Sequence, residues 1–159
     1  LHGIEASGSL KNLAEMYGVG KKGDEVVNAI DKKREDFSEE ELRCKGTGEL
    51  KMMEEFMSKL IELRKKLGQP MVISSGYRTP EYNERIGGSS KSAHILGKAV
   101  DVVCSGEKAY NIVRLALELG FTGIGIQQRG DHSKRFIHLD DVEPNKYQGT
   151  PRPWIWSYK

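Results

Sequence analysis

The stretch Ser92-Ala93-His94-Ile95-Leu96-Gly97-Lys98-Ala99-Val100-Asp101 is the part of the sequence around which the rest is organised. It places His94 and Asp101 seven residues apart, with Gly97 between them to let the backbone turn. A strand-like run, residues 100–103, follows directly. A histidine nitrogen and a carboxylate oxygen both suit Zn²⁺. The stretch therefore offers two candidate ligands for a metal ion.

A third candidate ligand lies downstream, in Phe136-Ile137-His138-Leu139-Asp140. The period-two alternation predicts a strand that carries His138 and Asp140 on one face and apolar side chains on the other. A catalytic zinc site uses three protein ligands and leaves a fourth position to water. His94, Asp101 and His138 are thus a candidate two-histidine, one-carboxylate site.

The motif Ser-x-His-x-x-Gly-x-Ala-x-Asp, preceded by Ser75-Gly76-Tyr77-Arg78 and followed by a strand bearing His138, resembles a known family. The family is the zinc D-Ala-D-Ala carboxypeptidases, the VanY-like peptidases that include phage endolysins and share a fold with the Hedgehog signalling domain. The resemblance covers residues 37–159. It implies an α+β domain with a small, mainly antiparallel sheet, helices packed on one side and zinc on the open face. It also implies hydrolysis of peptide bonds in bacterial peptidoglycan.

The resemblance further implies residues that contact the substrate. Arg78 matches an arginine that contacts substrate in the family, and a planar guanidinium suits bidentate binding of a carboxylate or a polarised carbonyl. Tyr77, beside it, is a further substrate-binding candidate. Ser92 is predicted to bind substrate or to orient a ligand, while a simple turn serine is the alternative.

The general base is harder to assign, because many family members carry an acidic residue where this chain has Arg135. Asp140 is the favoured base, as in shorter members with a His-x-Asp ending, and its alternative role is to orient a ligand. Asp131 and His132 are the rivals, and His132 alternatively stabilises an oxyanion. The missing carboxylate keeps a second hypothesis open, a zinc-stabilised binding module of the same fold without catalysis.

Composition excludes several other classes of protein. With 37% hydrophobic and 30% charged residues, a chain of 159 residues is expected to form one soluble domain with a sizeable core. A net charge of +2 gives no electrostatic case for a dedicated nucleic-acid binder. No apolar run approaches the roughly 18 residues of a membrane span. We expect a monomer whose partner is a peptidoglycan peptide, and neither a nucleic acid nor a membrane.

Localisation and redox state follow from what the sequence contains. No signal peptide is visible, so we expect a chain that is cytoplasmic when made or has lost a leader. It would act on the cell wall, in the periplasm or after release during phage lysis. Cys44 and Cys104 are too few and too far apart for a disulfide framework, which predicts that both are reduced.

The chain divides into a helical N-terminal extension, residues 1–36, and a zinc peptidase domain, residues 37–159. Helices are predicted at residues 10–17 and 24–33 of the extension. Residues 9–26 faintly resemble the end of the exonuclease region of phage DNA polymerases, without its metal-binding carboxylates. A nucleic-acid role for this arm is therefore a third hypothesis.

Within the peptidase domain, periodicity and capping residues predict the remaining elements. Ser38 and Glu41 form a capping box. The two long predicted helices run from Glu49 to Leu67 and from Gly106 to Leu119, the latter capped by Ser105. A short helix is predicted at residues 81–86, strands at 71–74 and 100–103, and a hairpin from strands at 121–128 and 134–140. Trp154, Trp156 and Tyr158 share one face if the tail is extended, where the two tryptophans wall the cleft or pack in the core.

Overall fold

The computed structural model describes residues 3–6, 37–144 and 149–159. The helices predicted at residues 10–17 and 24–33 lie outside the described residues, so the helical extension stays a prediction. Within the described ranges, no helix combines the length and the apolar character needed to cross a membrane.

The described elements alternate between short strands and helices. The helices are α1 (Glu39–Leu42), α2 (Glu54–Leu67), α3 (Pro80–Arg85) and α4 (Gly106–Leu119), with a 3₁₀ turn at His132–Lys134. The strands are β1 (Gly3–Ala6), β2 (Leu50–Met53), β3 (Val72–Ser75), β4 (Ala99–Val103), β5 (Gly123–Gln127), β6 (Phe136–Asp140) and β7 (Trp154–Ser157).

The main sheet has five strands in the order β3-β4-β6-β5-β7. Its first three pairings are antiparallel, and β7 joins β5 in parallel. The predicted hairpin of β5 and β6 is confirmed. A separate two-stranded sheet pairs β1 with β2, and this strand in the N-terminal region was not predicted.

One face of the main sheet is covered by the two long helices. Val100, Val102, Ile137 and Leu139 are buried in one cluster with the apolar sides of α2 and α4. Burying a side chain of this size contributes about 1.5–3 kcal/mol. Because side chains alternate along each strand, the next residues in β4 and β6 face away from the helices. The predicted α+β fold is confirmed, with polar side chains on the open face.

The start of the first long helix was predicted wrongly. A helix was expected from Glu49, but β2 occupies Leu50–Met53 and α2 begins at Glu54. Met53 is extended, with φ −82° and ψ 140°. The apolar spacing suited a helix, but pairing with β1 gives these residues a strand's alternating burial. Local propensity yields to such tertiary pairing.

The other local predictions agree closely with the structure. Ser38 and Glu41 form the capping box, because the Glu41 amide donates to Ser38 Oγ at 3.2 Å and the Ser38 amide to Glu41 Oε2 at 2.9 Å. Helix α4 has the predicted bounds, although the side chain of Ser105 makes no capping hydrogen bond. Cys44 and Cys104 are free, as predicted, and both are buried.

Candidate metal centre and cleft

Two of the candidate ligands lie side by side on the open face of the sheet. Asp101 in β4 is the register partner of His138 in β6. His138 Nδ1 lies 3.1 Å from Asp101 Oδ1, and both side chains are buried. Because their strand neighbours fill the core, the alternation of the two strands directs both polar groups to the opposite face.

The loop before β4 brings His94 to the same place. Ser92 Oγ accepts a hydrogen bond from the His94 amide at 3.2 Å, and the backbone of Gly97 is left-handed, with φ +73°. A side chain at Gly97 would meet the carbonyl oxygen of Lys51, and Met53 N donates to the Gly97 carbonyl at 2.9 Å. The glycine of the motif therefore lets β2 hold the loop closely against the sheet.

The three candidate ligands converge. Their ligand atoms all lie within 4.8 Å of one another, so His94, Asp101 and His138 form a group that could hold a metal ion. His94 Nε2 lies 3.3 Å from Asp101 Oδ1. Two imidazoles and one carboxylate are a donor set that zinc uses.

The outer nitrogen of each imidazole already has a partner. His94 Nδ1 lies 2.7 Å from the Gly76 carbonyl oxygen, and His138 Nε2 lies 2.7 Å from Asp140 Oδ2. A carbonyl oxygen only accepts a hydrogen bond, so His94 Nδ1 donates its proton to Gly76. Such partners fix the tautomer and the ring orientation of a metal-binding histidine. The nitrogens that face Asp101 are the ones presented to an ion.

Burial and hydrogen bonding shift the pKa values of these groups. Burial lowers the pKa of His94. Burial acts to raise the pKa of Asp101, but the attraction of His94 and hydrogen bonds from His138 and His94 hold it well below its ordinary value. For His138, burial acts to lower the pKa, but the hydrogen bonds that its ring nitrogens make to the Asp101 and Asp140 carboxylates outweigh burial, so the net direction is upward.

The group lies on the floor of a cleft of about 460 Å³. Arg78 lines it, with Nη2 at 3.7 Å from Asp101 Oδ2 and Nη1 donating to Asn83 Oδ1 at 3.0 Å. Trp154, Trp156 and Tyr158 all line it as well, which agrees with the predicted shared face of the tail. The tryptophans thus wall the cleft, and Trp154 remains 55% exposed.

Other predicted site residues lie in different surroundings. Ser92 lines the cleft, whereas Tyr77 is 7% exposed and packs in the hydrophobic core. Asp131 and His132 are exposed in the 3₁₀ turn and are not among the described residues that line the cleft. Asp140 is fully buried behind His138. The structure therefore brings Ser92 to the centre but not the two residues of the turn.

Several residues of the site were missed by sequence analysis. Arg152 binds Asp140 through two nitrogens, and the buried Asn83 joins Arg78 to the carbonyl of Ser89. Gly123 and Gly125 of β5 are also part of the site. A side chain at the first would collide with the Asp140 carboxylate, and one at the second with the Trp156 ring. Glycines inside a strand often mark such close approaches, and this signal could have revealed the missed contacts.

Within the described residues, the fold and the site define an α+β protein that has a buried group of two histidines and one carboxylate at the floor of an open cleft. The chain belongs to the Peptidase M15 family, whose profile matches residues 26–140. This match confirms the family assignment and supports a peptidase. The comparison with curated proteins gave no match.

Proposed function

We propose that the protein is a zinc-dependent peptidase that cuts peptide bonds in bacterial peptidoglycan. It either removes a terminal D-Ala or cleaves within the stem or cross-bridge. The convergence of His94, Asp101 and His138 at the floor of the cleft carries this proposal, and membership of the Peptidase M15 family supports it. The biological setting that we propose is phage lysis, with the enzyme acting on the cell wall.

The proposed chemistry combines the metal with a cation in the cleft. A bound zinc ion would act as a Lewis acid and lower the pKa of its water toward neutrality. Arg78 supplies the cation, since Ser75 Oγ accepts from its Nε at 3.3 Å and Asn83 from its Nη1, which fixes the guanidinium beside Asp101. A fixed guanidinium can bind a substrate carboxylate or stabilise a developing oxyanion.

The rest of the cleft suits a short anionic peptide. Lys91 lines the wall together with Arg78, and Trp154 and Trp156 offer an aromatic surface. Aromatic rings bury apolar parts of a peptide, and the cations favour its carboxylates. Peptidoglycan peptides carry both kinds of group, which supports them as the substrate class.

Asp140 is better suited to orient a ligand than to accept a proton from water. Its carboxylate has no exposed surface, and its two oxygens already bind Arg152 and His138. A general base must reach the proton that it removes. Among the described residues that line the cleft, Asp101 is the one carboxylate. This observation favours the second candidate function, a zinc-stabilised binding module without catalysis.

Purified cell walls distinguish the two functions. Zinc-loaded protein is incubated with peptidoglycan, and free D-Ala and newly exposed amino groups are measured. Release of D-Ala indicates a carboxypeptidase, and new amino groups on the polymer indicate an endopeptidase. Chelation and His94→Ala must abolish release, whereas Arg114→Gln on the exposed side of α4 must not. Zinc binding with cell-wall binding but no release would favour the binding module.

A further inference from the structure

Arg152 lines the cleft beside the metal centre, and its hydrogen bonds go to residues other than the three candidate ligands. It lies just before β7 and forms two charged hydrogen bonds with Asp140, from Nε to Oδ1 at 2.8 Å and from Nη2 to Oδ2 at 2.7 Å. Its Nη1 donates to the Pro151 carbonyl at 2.8 Å. A guanidinium that binds both carboxylate oxygens fixes the carboxylate in plane as well as in position.

Asp140, fixed in this way, in turn orients His138. Its Oδ2 also lies 2.7 Å from His138 Nε2, and the Val142 amide donates to Oδ1 at 3.3 Å. Both side chains of the Arg152–Asp140 ion pair are buried, since that of Arg152 is 8% exposed and that of Asp140 is fully covered. A carboxylate held on this side keeps the proton on Nε2, so that Nδ1 is the nitrogen that faces Asp101.

The surrounding residues are arranged for this contact. The absence of a side chain at Gly123 makes room for the carboxylate of Asp140, and its absence at Gly125 makes room for the ring of Trp156. That ring lies 5.1 Å from the Arg152 guanidinium and 5.0 Å from the His138 ring. Strand β7 and the residues just before it therefore place Trp156 against the ring of His138 and Arg152 against Asp140.

We propose that Arg152 is a positioning residue of the metal centre, which acts through Asp140 to orient His138. This role rests on the proposed function of the site as a zinc centre. Arg152 need not touch substrate or metal, because the chain Arg152 to Asp140 to His138 is continuous in hydrogen bonds. A carboxylate partner of this kind changes the metal affinity of the histidine that it holds.

Zinc affinity tests the proposal without any substrate. Dissociation constants are measured by competition with a chromophoric chelator for native protein, Arg152→Gln, Arg152→Lys, Asp140→Asn and the double variant Asp140→Asn/Arg152→Gln. We expect Arg152→Gln to weaken zinc binding roughly 10- to 100-fold. The visible spectrum of the cobalt-substituted protein should change as well. Arg152→Lys should bind zinc more tightly than Arg152→Gln but less tightly than native protein, because lysine keeps the positive charge but loses the bidentate contact with the carboxylate.

The double variant separates a role through Asp140 from a general effect on the fold. In the Asp140→Asn background, Arg152→Gln should add little further loss, because the contact that it supports is already gone. Fully additive losses, or native zinc affinity and an unchanged cobalt spectrum in Arg152→Gln, would overturn the proposal. If Arg152→Gln does not fold, native affinity in Arg152→Lys together with weakened binding in Asp140→Asn overturns it equally. Failure to cut cell walls would refute the proposed function alone.

Discussion

Asp140 and Asp141 are neighbours in the chain, yet the two buried carboxylates lie in contrasting surroundings. Asp140 binds Arg152 and His138 at 2.7–2.8 Å. Asp141 lies near Lys59 of α2 and near Lys98, but its oxygens are 3.6 and 3.8 Å from the two ammonium groups. Its Oδ1 is buried and makes no hydrogen bond to any described residue.

The contrast appears in the pKa values of the two carboxyl groups. Burial tends to raise the pKa of both carboxyl groups. Hydrogen bonds from His138 and Arg152 overcome burial at Asp140 and lower its pKa to about 2. At Asp141 burial prevails over the attraction of Lys98 and Lys59, and the pKa rises to about 6. The difference teaches that a nearby cation stabilises a buried carboxylate well only when hydrogen bonds are formed.

The largest expected effect comes from the same substitution made at each of the two positions. Asp140→Asn leaves the buried Arg152 without its counter-charge, which we expect to cost roughly 3–5 kcal/mol of unfolding free energy. Asp141→Asn removes a poorly compensated buried charge and should stabilise the protein at about pH 7.5. Urea unfolding of the metal-free proteins measures both changes. Changes of the same sign in the two variants would contradict the comparison.

The pH dependence of stability sharpens the comparison at Asp141. Because its folded pKa of about 6 lies above the ordinary value of 3.8, its contribution is fully present below about pH 3.8 and is lost as the pH rises through 6. Native protein should therefore lose roughly 2–2.5 kcal/mol relative to Asp141→Asn between pH 4 and pH 7.5, at 1.36 kcal/mol per pKa unit, because part of the contribution is already lost at pH 4. Unfolding curves of native protein and of Asp141→Asn, measured across this pH range, check the size of the loss. A difference that is independent of pH would count against a raised pKa.

A smaller effect is expected from a methyl group placed under Asp140. Gly123→Ala puts a side chain into the space of that carboxylate, and overpacking of this kind costs about 1–3 kcal/mol. Zinc affinity should fall as well, because the carboxylate must move relative to His138. Gly125→Ala crowds Trp156 instead and is the matched comparison. If zinc affinity fell only in Gly125→Ala, the space under Asp140 would not matter to the centre.

The smallest effect on the unfolding free energy is expected from replacing Lys59, one of the two lysines near Asp141. Lys59 is about one-third exposed, and an ion pair at this distance contributes roughly 0–1 kcal/mol. Lys59→Met should therefore lower the unfolding free energy at about pH 7.5 by less than ~1 kcal/mol. At about pH 4, where Asp141 is protonated, the charge contribution should vanish. Thermal or urea unfolding at the two pH values measures the change, and a loss as large as that of Asp140→Asn would be inconsistent with a weak pair.

Local signals were enough to predict much of this molecule. The capping box at Ser38, the bounds of α4 and the hairpin of β5 and β6 depend on residues close in sequence. The alternation around His138 also predicted correctly that Ile137 and Leu139 lie in the hydrophobic core. These features follow from backbone geometry and side-chain chemistry within a few residues.

The features that were missed depend on contacts between distant segments. Leu50–Met53 has apolar spacing that fits a helix, and only its pairing with Gly3–Ala6 makes it a strand. Arg152 reaches Asp140 because β7 returns beside β5 in parallel, which no pattern around the arginine indicates. Asp140 had two predicted roles, and only its buried contacts favour the orienting one over the general base.

The central claim is that His94, Asp101 and His138 bind one zinc ion together. Its most direct test is equilibrium dialysis against zinc, followed by measurement of the metal content of native protein and of the three single alanine variants. The account predicts one zinc ion per native chain and loss of stoichiometric zinc in each variant. Stoichiometric zinc retained by His138→Ala, or none taken up by the native chain, would contradict it.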